Sequence, residues 1–78
     1  MQLLDIFTIM DIKQKVGIKL KEIRLLKGFS QERLANIAGL DRTYIPSIEK
    51  GERNISIETI EKISRALNIT IHEFLIDL

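Results

Sequence analysis

The sequence of 78 residues contains no cysteine, one histidine and one proline. Without cysteine it can form neither a disulfide bond nor a zinc site with thiolate ligands. His72 has no second histidine or cysteine with which it could complete a metal site. On a helix, its neighbour Glu73 would point in a different direction, so the two residues do not make a catalytic pair. We therefore expect no enzymatic activity, no metal ion and no cofactor.

Long apolar runs are also absent. No stretch approaches the roughly 18 consecutive apolar residues of a membrane span. The N-terminus is apolar, but it lacks a basic region and a cleavage site of small residues, so no signal peptide is predicted. We expect a cytoplasmic, single-domain protein without a separate domain for a small-molecule ligand. A chain of this size buries only about 60% of its unfolded surface, so a partner subunit would add stability.

The sequence has no strong excess of either charge, because its formal net charge is +1. The charges are nevertheless unevenly placed. Residues 13–27 contain six basic residues and one acid, whereas residues 54–78 contain two basic and four acidic residues. Taken alone, the basic block is compatible with a solvated helix face and equally with a surface that faces phosphate groups.

Capping residues and apolar residues spaced three or four apart predict an all-α fold, a compact bundle of about five short helices. The first helix should bury Val16, Leu20 and Ile23, and the fourth repeats apolar residues at Ile57, Ile60, Ile63 and Leu67. Thr70 and Glu73 form a capping box for the fifth helix. The predicted helices run from about Ile12 to Lys27, from after Ser30 to before Gly39, from after Asp41 to before Gly51, from after Ser56 to Asn68, and from Thr70 to about Asp77.

Residues 31–50, QERLANIAGLDRTYIPSIEK, have the pattern of two helices joined by a sharp turn. Ala35 is small enough to let the helices approach, and Gly39 takes a left-handed φ at the turn. Ile45 would pin the second helix against the first. Small, glycine and β-branched residues at the fifth, ninth and fifteenth positions are typical of a helix-turn-helix.

The segment GIKLKEIRLLKGFSQERLANIAGLDRTYIPSIEKGERNISIETIEKISRALNITIHEFL, about 60 of the 78 residues, resembles the Cro/C1-type (XRE) helix-turn-helix family. Its matching elements are R-x-x-K-G-x-S-Q, L-A-x-x-A-G, Y-I-x-x-I-E-x-G and I-E-x-I-x-K-I-x-x-A-L. D-R-T-Y-I followed by E-K-G-E-R-N is most similar to the controller proteins of restriction–modification systems. The resemblance implies a lambda-repressor-like domain over residues 13–78, which binds a palindromic operator in double-stranded DNA as a homodimer and regulates transcription, as a repressor or controller.

The resemblance also assigns site residues. Contacts to DNA bases are expected from Arg42, Thr43 and Ser47, because the N-terminal end of the second helix of the motif enters the major groove. Glu49 is expected to be structural and to hold an arginine in place. Contacts to DNA phosphates are expected from Gln31, Tyr44, Lys50, Arg53 and Asn54.

Each assignment has an alternative. Arg42 could form a salt bridge with Asp41 or Glu49 instead of binding guanine. Thr43, Ser47 and Gln31 could be ordinary exposed residues, and Tyr44 could serve only in packing. Arg53 could pair with Glu49 or Glu52 instead of approaching a phosphate.

Pro46 departs from the family pattern. If Asp41 caps the helix, Pro46 is the fifth helical residue, and its missing N–H removes a bond to Arg42. We therefore expect a local kink or a 3₁₀-like segment that shifts Arg42 and Thr43 relative to Ser47.

Residues 1–12, MQLLDIFTIMDI, form an apolar extension outside the family match. The first helix is also apolar at Ile18, Leu25 and Leu26, where the family has charged residues. One hypothesis is that the extension packs over these three residues, within a subunit or across a dimer. The alternative is that Met10 is the true start and that residues 1–9 are disordered.

The last helix has more apolar residues than a small monomer needs. Ile71, Phe74, Leu75 and Leu78 would partly close the core, and we expect the remainder to form an isologous dimer interface. A different reading of the same apolar ends is an antitoxin-like module whose main partner is a protein.

Overall fold

A computed structural model describes residues 10–78, and this part of the chain contains helices and no strand. The predicted all-α fold is therefore confirmed. Residues 1–9 lie outside the described residues, so the predicted extension over residues 1–12 and its packing stay predictions. The helices are α1 (Ile12–Leu26), α2 (Gln31–Ala38), α3 (Tyr44–Glu49), α4 (Ile57–Ala66) and α5 (Ile71–Leu75).

Four helices begin at a side-chain cap. Asp11, Ser30, Ser56 and Thr70 each accept a hydrogen bond from the backbone N–H three residues later. The cap satisfies one of the amides that the first helical turn leaves without a partner. The capping box of Thr70 and Glu73 is present, as predicted. These bonds fix the starts of α2, α4 and α5 where the sequence placed them.

Four helix ends share one geometry, in which a residue with positive φ reverses the chain. At the end of α1, for example, the Phe29 amide donates to the Arg24 carbonyl and the Gly28 amide to the Leu25 carbonyl, both at 3.1 Å. This pair of bonds is the Schellman motif, which satisfies the last carbonyls of a helix. The residues with positive φ at these ends are Gly28, Gly39, Gly51 and Asn68.

The core is formed by one apolar face from each helix. Its members are Val16, Leu20, Leu34, Ala35, Ile45, Ile48, Ile63, Leu67 and Phe74. One expectation is corrected, because Ile23 is only partly buried. Of the apolar repeat in α4, Ile57 is 78% exposed and is the first residue of the helix.

Contacts between the helices enclose this core. α3 packs between α1 and α2, α4 packs on α2, and α5 contacts both α1 and α4. At the α1–α3 crossing, a Cβ on Gly17 would lie 2.4 Å from the carbonyl oxygen of Ile48 and 2.9 Å from that of Glu49. Only glycine therefore permits this approach of α1 to the end of α3.

The apolar residues of the C-terminal helix mostly close the core. Phe74 is fully buried, and Leu75 and Leu78 are partly buried against the core. Ile71 remains 39% exposed. On α1, Ile18, Leu25 and Leu26 are exposed. Among the described residues, no helix has the length and apolar character needed to cross a membrane.

Candidate nucleic-acid interface

The approach to α3 is a tight turn built on Asp41. The Tyr44 amide donates to the Asp41 carbonyl at 2.9 Å, an i→i−3 bond. The Asp41 carboxylate accepts from the Thr43 amide at 3.1 Å and from the Thr43 hydroxyl. These two hydrogen bonds, followed by the positive charges of Arg42 and Arg53, hold the pKa of Asp41 below its ordinary value.

This turn corrects the predicted start of α3. The helix begins at Tyr44, so Arg42 and Thr43 belong to the turn before it, and Asp41 organises that turn instead of capping the helix directly. Pro46 is consequently the third helical residue. A proline in the first turn is tolerated, because the amide there has no partner within the helix. The expected distortion is thus a 3₁₀-like turn ahead of the helix.

Beyond Pro46 the helix is regular at its end. The bond that spans the proline, from the Ser47 amide to the Thr43 carbonyl, is long at 3.4 Å. At the C-terminal end of the helix, the bond from the Lys50 amide to the Pro46 carbonyl measures 3.0 Å. Pro46 therefore lies in the first turn of α3, and the C-terminal end of the helix keeps its backbone hydrogen bond.

Arg42 lies on this turn with an exposed side chain. Among residues 10–78, it is in neither of the two ion pairs that are formed, so the alternative of a salt bridge to Asp41 or Glu49 is wrong. Thr43 is also exposed, but its hydroxyl proton is directed to Asp41. Thr43 therefore presents a methyl group and oxygen lone pairs to an approaching ligand.

Tyr44, Ser47 and Arg53 form a connected cluster on the next turn. The guanidinium carbon of Arg53 lies 4.1 Å from the centre of the Tyr44 ring, within cation–π range. The Arg53 Nε donates to Ser47 Oγ at 2.8 Å, and the Ser47 hydroxyl donates to the Tyr44 carbonyl at 2.8 Å. Arg53 is held by these contacts and not by the alternative partners Glu49 or Glu52.

A buried ion pair fixes the far end of α3. Arg24 donates from Nε to Glu49 Oε2 at 2.7 Å and from Nη2 to Glu49 Oε1 at 3.0 Å. Its Nη1 donates to the Phe29 carbonyl at 2.8 Å. The side-chain Nε2 of Gln31 also donates to Glu49 Oε1, at 3.0 Å. The expectation that Glu49 holds an arginine is confirmed, and Gln31 is positioned by the same carboxylate.

Arg24 belongs in sequence to the basic block of residues 13–27, but in the structure it does not lie on an exposed basic surface. Its side chain is only 8% exposed. Lys19 is tied elsewhere, since its Nζ donates to the Ile76 carbonyl at 2.8 Å. Lys21 and Lys27 are exposed, as are Lys50 and Asn54 near the end of α3. In the sequence, Arg24 is marked only by its place in the R-x-x-K-G element, and Gly17 only by being a glycine in the middle of a helix. Neither feature indicates which residue it contacts.

The polar side chains of residues 10–78 determine what this surface can bind. Within them, no three histidine, aspartate or glutamate side chains are grouped so that they could hold a metal ion. The available groups are guanidinium, ammonium, amide, hydroxyl and phenol. These are the side chains with which proteins contact phosphate oxygens and base edges.

Comparisons with known proteins agree with this geometry. A sequence profile described as helix-turn-helix matches residues 20–74. Control protein C.MunI from Mycoplasma sp is 49% identical over 69 residues, which cover 87% of this chain and 93% of that protein. Control protein C.BamHI from Bacillus amyloliquefaciens is 50% identical over 60 residues, covering 76% and 74%.

A solved structure supports the same assignment. The crystal structure of the restriction-modification controller protein C.AhdI from Aeromonas hydrophila superposes with a TM-score of 0.79 at 44% identity. The match covers 81% of this chain and 96% of that chain. The chain therefore belongs to the Cro/C1-type helix-turn-helix family of DNA-binding transcription regulators, and control proteins of restriction–modification systems are among its relatives.

Proposed function

We propose that the protein binds a palindromic operator as a homodimer and controls the transcription of restriction–modification genes. The single observation that carries this proposal is the state of Arg42. It is an exposed guanidinium without an ion-pair partner among the described residues, placed on a turn that Asp41 and Thr43 hold in shape. A guanidinium in that position matches the O6 and N7 acceptors of guanine in the major groove.

The base-reading surface comprises Arg42, Thr43 and Ser47. The Thr43 methyl group suits the thymine methyl, because its hydroxyl proton is already donated to Asp41. The Ser47 hydroxyl keeps an acceptor lone pair beyond its two bonds within the cluster, and thus reads a base edge directly or through water.

Five residues flank that surface as phosphate contacts: Gln31, Tyr44, Lys50, Arg53 and Asn54. Gln31 is the first residue of α2, where unpaired backbone N–H groups favour an anion. Stacking on Tyr44 and the bond to Ser47 hold Arg53 in one orientation. Lys50 and Asn54 are exposed on the loop after α3.

The scaffold explains how these groups keep their spacing. The Arg24–Glu49 pair joins α1 to α3, and Glu49 also receives Gln31 from α2. The phosphate contact on α2 and the reading helix α3 are thus fixed to one another through a single carboxylate. Two subunits on a two-fold operator would place their α3 helices one DNA turn apart, roughly 34–36 Å.

An antitoxin-like role is a second candidate, which rests on the exposed apolar residues of α1. Leu25 is 59% exposed and Leu26 87% exposed. In that role a protein partner would cover α1, and DNA binding would be secondary. Since operator DNA lies inside the cell, we place the proposed regulator in the cytoplasm.

The test is selection of binding sites by the purified full-length chain from a pool of random duplexes. The oligomeric state is measured on the same sample by sedimentation. We expect the selection to yield a palindromic consensus sequence that is bound by two subunits. Selection that yields no consensus would contradict sequence-specific regulation, and a consensus without symmetry, bound by one subunit, would contradict the homodimer.

A further inference from the structure

Two apolar residues of α1 form a line that faces away from the core. Ile18 and Leu25 are seven residues apart and therefore lie on nearly the same side of the helix. Their side chains are 37% and 59% exposed, whereas Val16, Leu20 and Arg24 on the opposite side are buried. Residues 10–78 thus leave this apolar line of α1 uncovered.

A groove of about 260 Å³ lies beside the apolar line, between α1 and the C-terminal residues. The Lys19 Nζ donates to the Ile76 carbonyl at 2.8 Å, and Leu78 packs partly buried against the core. These contacts hold the far wall of the groove against α1. The groove is lined by Ile18 and Leu78 and by the charged residues Lys15, Lys19, Glu22 and Asp77.

The chain enters α1 at one end of the same line. Asp11 is seven residues before Ile18, so Asp11, Ile18 and Leu25 follow one another along one side of the helix. The backbone bends at Met10, and Asp11 is extended, with φ −73° and ψ 166°. The helix therefore does not continue towards the N-terminus through Asp11, and the preceding chain changes direction there.

The nine residues before Met10, MQLLDIFTI, suit an apolar face. Six of them are apolar, and Asp5 is the only charged residue. An extended chain spans about 3.3 Å per residue, against about 1.5 Å per residue along a helix. Counted back from Asp11, Phe7 is therefore close enough to reach the level of Ile18, and Leu3 to reach the level of Leu25.

We propose that residues 1–9 fold back along α1 of their own subunit, with Phe7 in the groove beside Ile18 and Leu3 over Leu25. The charges favour this occupant over a second copy of α1. Lys15 and Lys21 lie on the two sides of the apolar line, so two copies of this face would bring like charges together. A segment whose only charge is an acid meets no such repulsion.

The inference has a consequence for the choice between the two candidate functions. The antitoxin-like role rests on exposed apolar residues of α1, among them Leu25. A face that is covered by its own chain is closed to a protein partner. The inference does not depend on the proposed DNA binding or on the homodimer, and its failure would leave both intact.

A paramagnetic label tests the position of the segment in the full-length protein. The chain has no cysteine, so Gln2→Cys provides a single attachment site for a nitroxide, at a polar residue near the far end of the segment. The oxidised label should weaken the amide NMR signals of residues 18–25, most strongly near Leu25, and chemical reduction of the label should restore them. Asn36→Cys, a matched label at an exposed residue of α2, should leave those signals unchanged.

A mixed sample separates the two possible locations of the segment. Labelled chains are combined with isotopically labelled chains that lack the nitroxide, and the signals of residues 18–25 should then keep their full intensity. Weakened signals in this mixture would place the segment on the partner subunit and overturn the inference. In the singly labelled protein, weakening confined to residues 10–14, or absent altogether, would show that the segment does not return along α1.

A double-mutant cycle tests the contact between Phe7 and Ile18. Phe7→Ala and Ile18→Ala each remove one side of it, so their losses in unfolding free energy should be clearly less than additive in the double variant. Urea denaturation measures these losses. Ile57→Ala, which removes an apolar side chain that is 78% exposed on α4, should combine additively with Phe7→Ala. Additive losses for both pairs would overturn the proposed contact.

Discussion

Arg24 and Glu49 form a two-bond ion pair that joins the last turn of α1 to the last residue of α3. Both side chains are at least nine-tenths buried, and the remaining contacts, to the Phe29 carbonyl and from Gln31, leave neither charge without hydrogen bonds. A buried pair with complete hydrogen bonding is expensive to break, although an apolar pair could replace it. Arg24, which lies in the basic block of residues 13–27, therefore stabilises the fold and does not belong to an exposed basic surface.

Replacing Arg24 should therefore destabilise the fold. We expect Arg24→Ala to lower the free energy of unfolding by about 3–5 kcal/mol, since Glu49 would remain buried without its partner. Urea denaturation measures the change. Arg24→Met/Glu49→Leu removes both charges, and its free energy of unfolding should fall clearly less than that of Arg24→Ala. Lys21→Ala, at an exposed site, should stay within about 0.5 kcal/mol of wild type. Equal losses for Arg24→Ala and Lys21→Ala would contradict a buried, paired Arg24.

Gly17 should tolerate no side chain. The added methyl group of Gly17→Ala would meet the Ile48 and Glu49 carbonyls, and backbone atoms cannot rotate away as a side chain can. We expect a loss of about 1–3 kcal/mol or more from overpacking, even though alanine is the better helix former. Thermal unfolding by circular dichroism gives the comparison.

Gly28→Ala is the matched control for Gly17→Ala. A Cβ at Gly28 meets no atom within 4 Å, but its φ of +79° strains any other residue. Gly28→Ala should therefore lose stability only through the unfavourable left-handed backbone conformation, by about 1–2 kcal/mol. A Gly17→Ala variant as stable as wild type would show that α1 and α3 do not approach as described.

The hydrogen bonds of Thr43 should be visible in the titration of Asp41. They favour the charged carboxylate, so the pKa of Asp41 lies below its ordinary value. The turn is therefore supported at neutral pH and loses this support as the pH falls through the lowered pKa. In Thr43→Val the hydroxyl bond is lost, and the pKa of Asp41 should move upward, towards its ordinary value.

Carbon-detected NMR titration of the Asp41 carboxyl measures that pKa in both proteins. Lys21→Ala serves as the control, because Lys21 is exposed on α1 and is not among the groups that shift the pKa of Asp41. If the pKa of Asp41 is the same in wild type and in Thr43→Val, the side-chain bond does not hold the turn.

Features governed by neighbouring residues were predictable from the sequence. Ser30, Ser56 and Thr70 each bond to an amide three residues away, so their helix starts follow from local chemistry. Gly28 and Gly39 end their helices for the same reason, because only the local backbone conformation matters there. The fold class and the helix-turn-helix followed from these local signals together with the apolar spacing.

Features that depend on distant residues were not predictable. Asp41 has the residue type of a helix cap, but its carboxylate bonds to Thr43 and α3 begins only at Tyr44. Arg24 looked like a surface cation because its partner, Glu49, is 25 residues away. From the sequence, the base contacts could be predicted only as positions on a helix. Within residues 10–78, the structure distinguishes an Arg42 without an ion pair from a Ser47 that is already bonded.

The central claim, that Arg42 reads a base, is tested by the affinity of Arg42→Ala for DNA. The substrates are the selected operator, operators with a single base pair changed, and random duplex, all at one salt concentration. We expect Arg42→Ala to lose about 1–3 kcal/mol of binding free energy on the operator, to relax the preference at one base pair per half-site, and to change little on random duplex. Equal losses on the operator and on random duplex would contradict the claim and make Arg42 a phosphate contact.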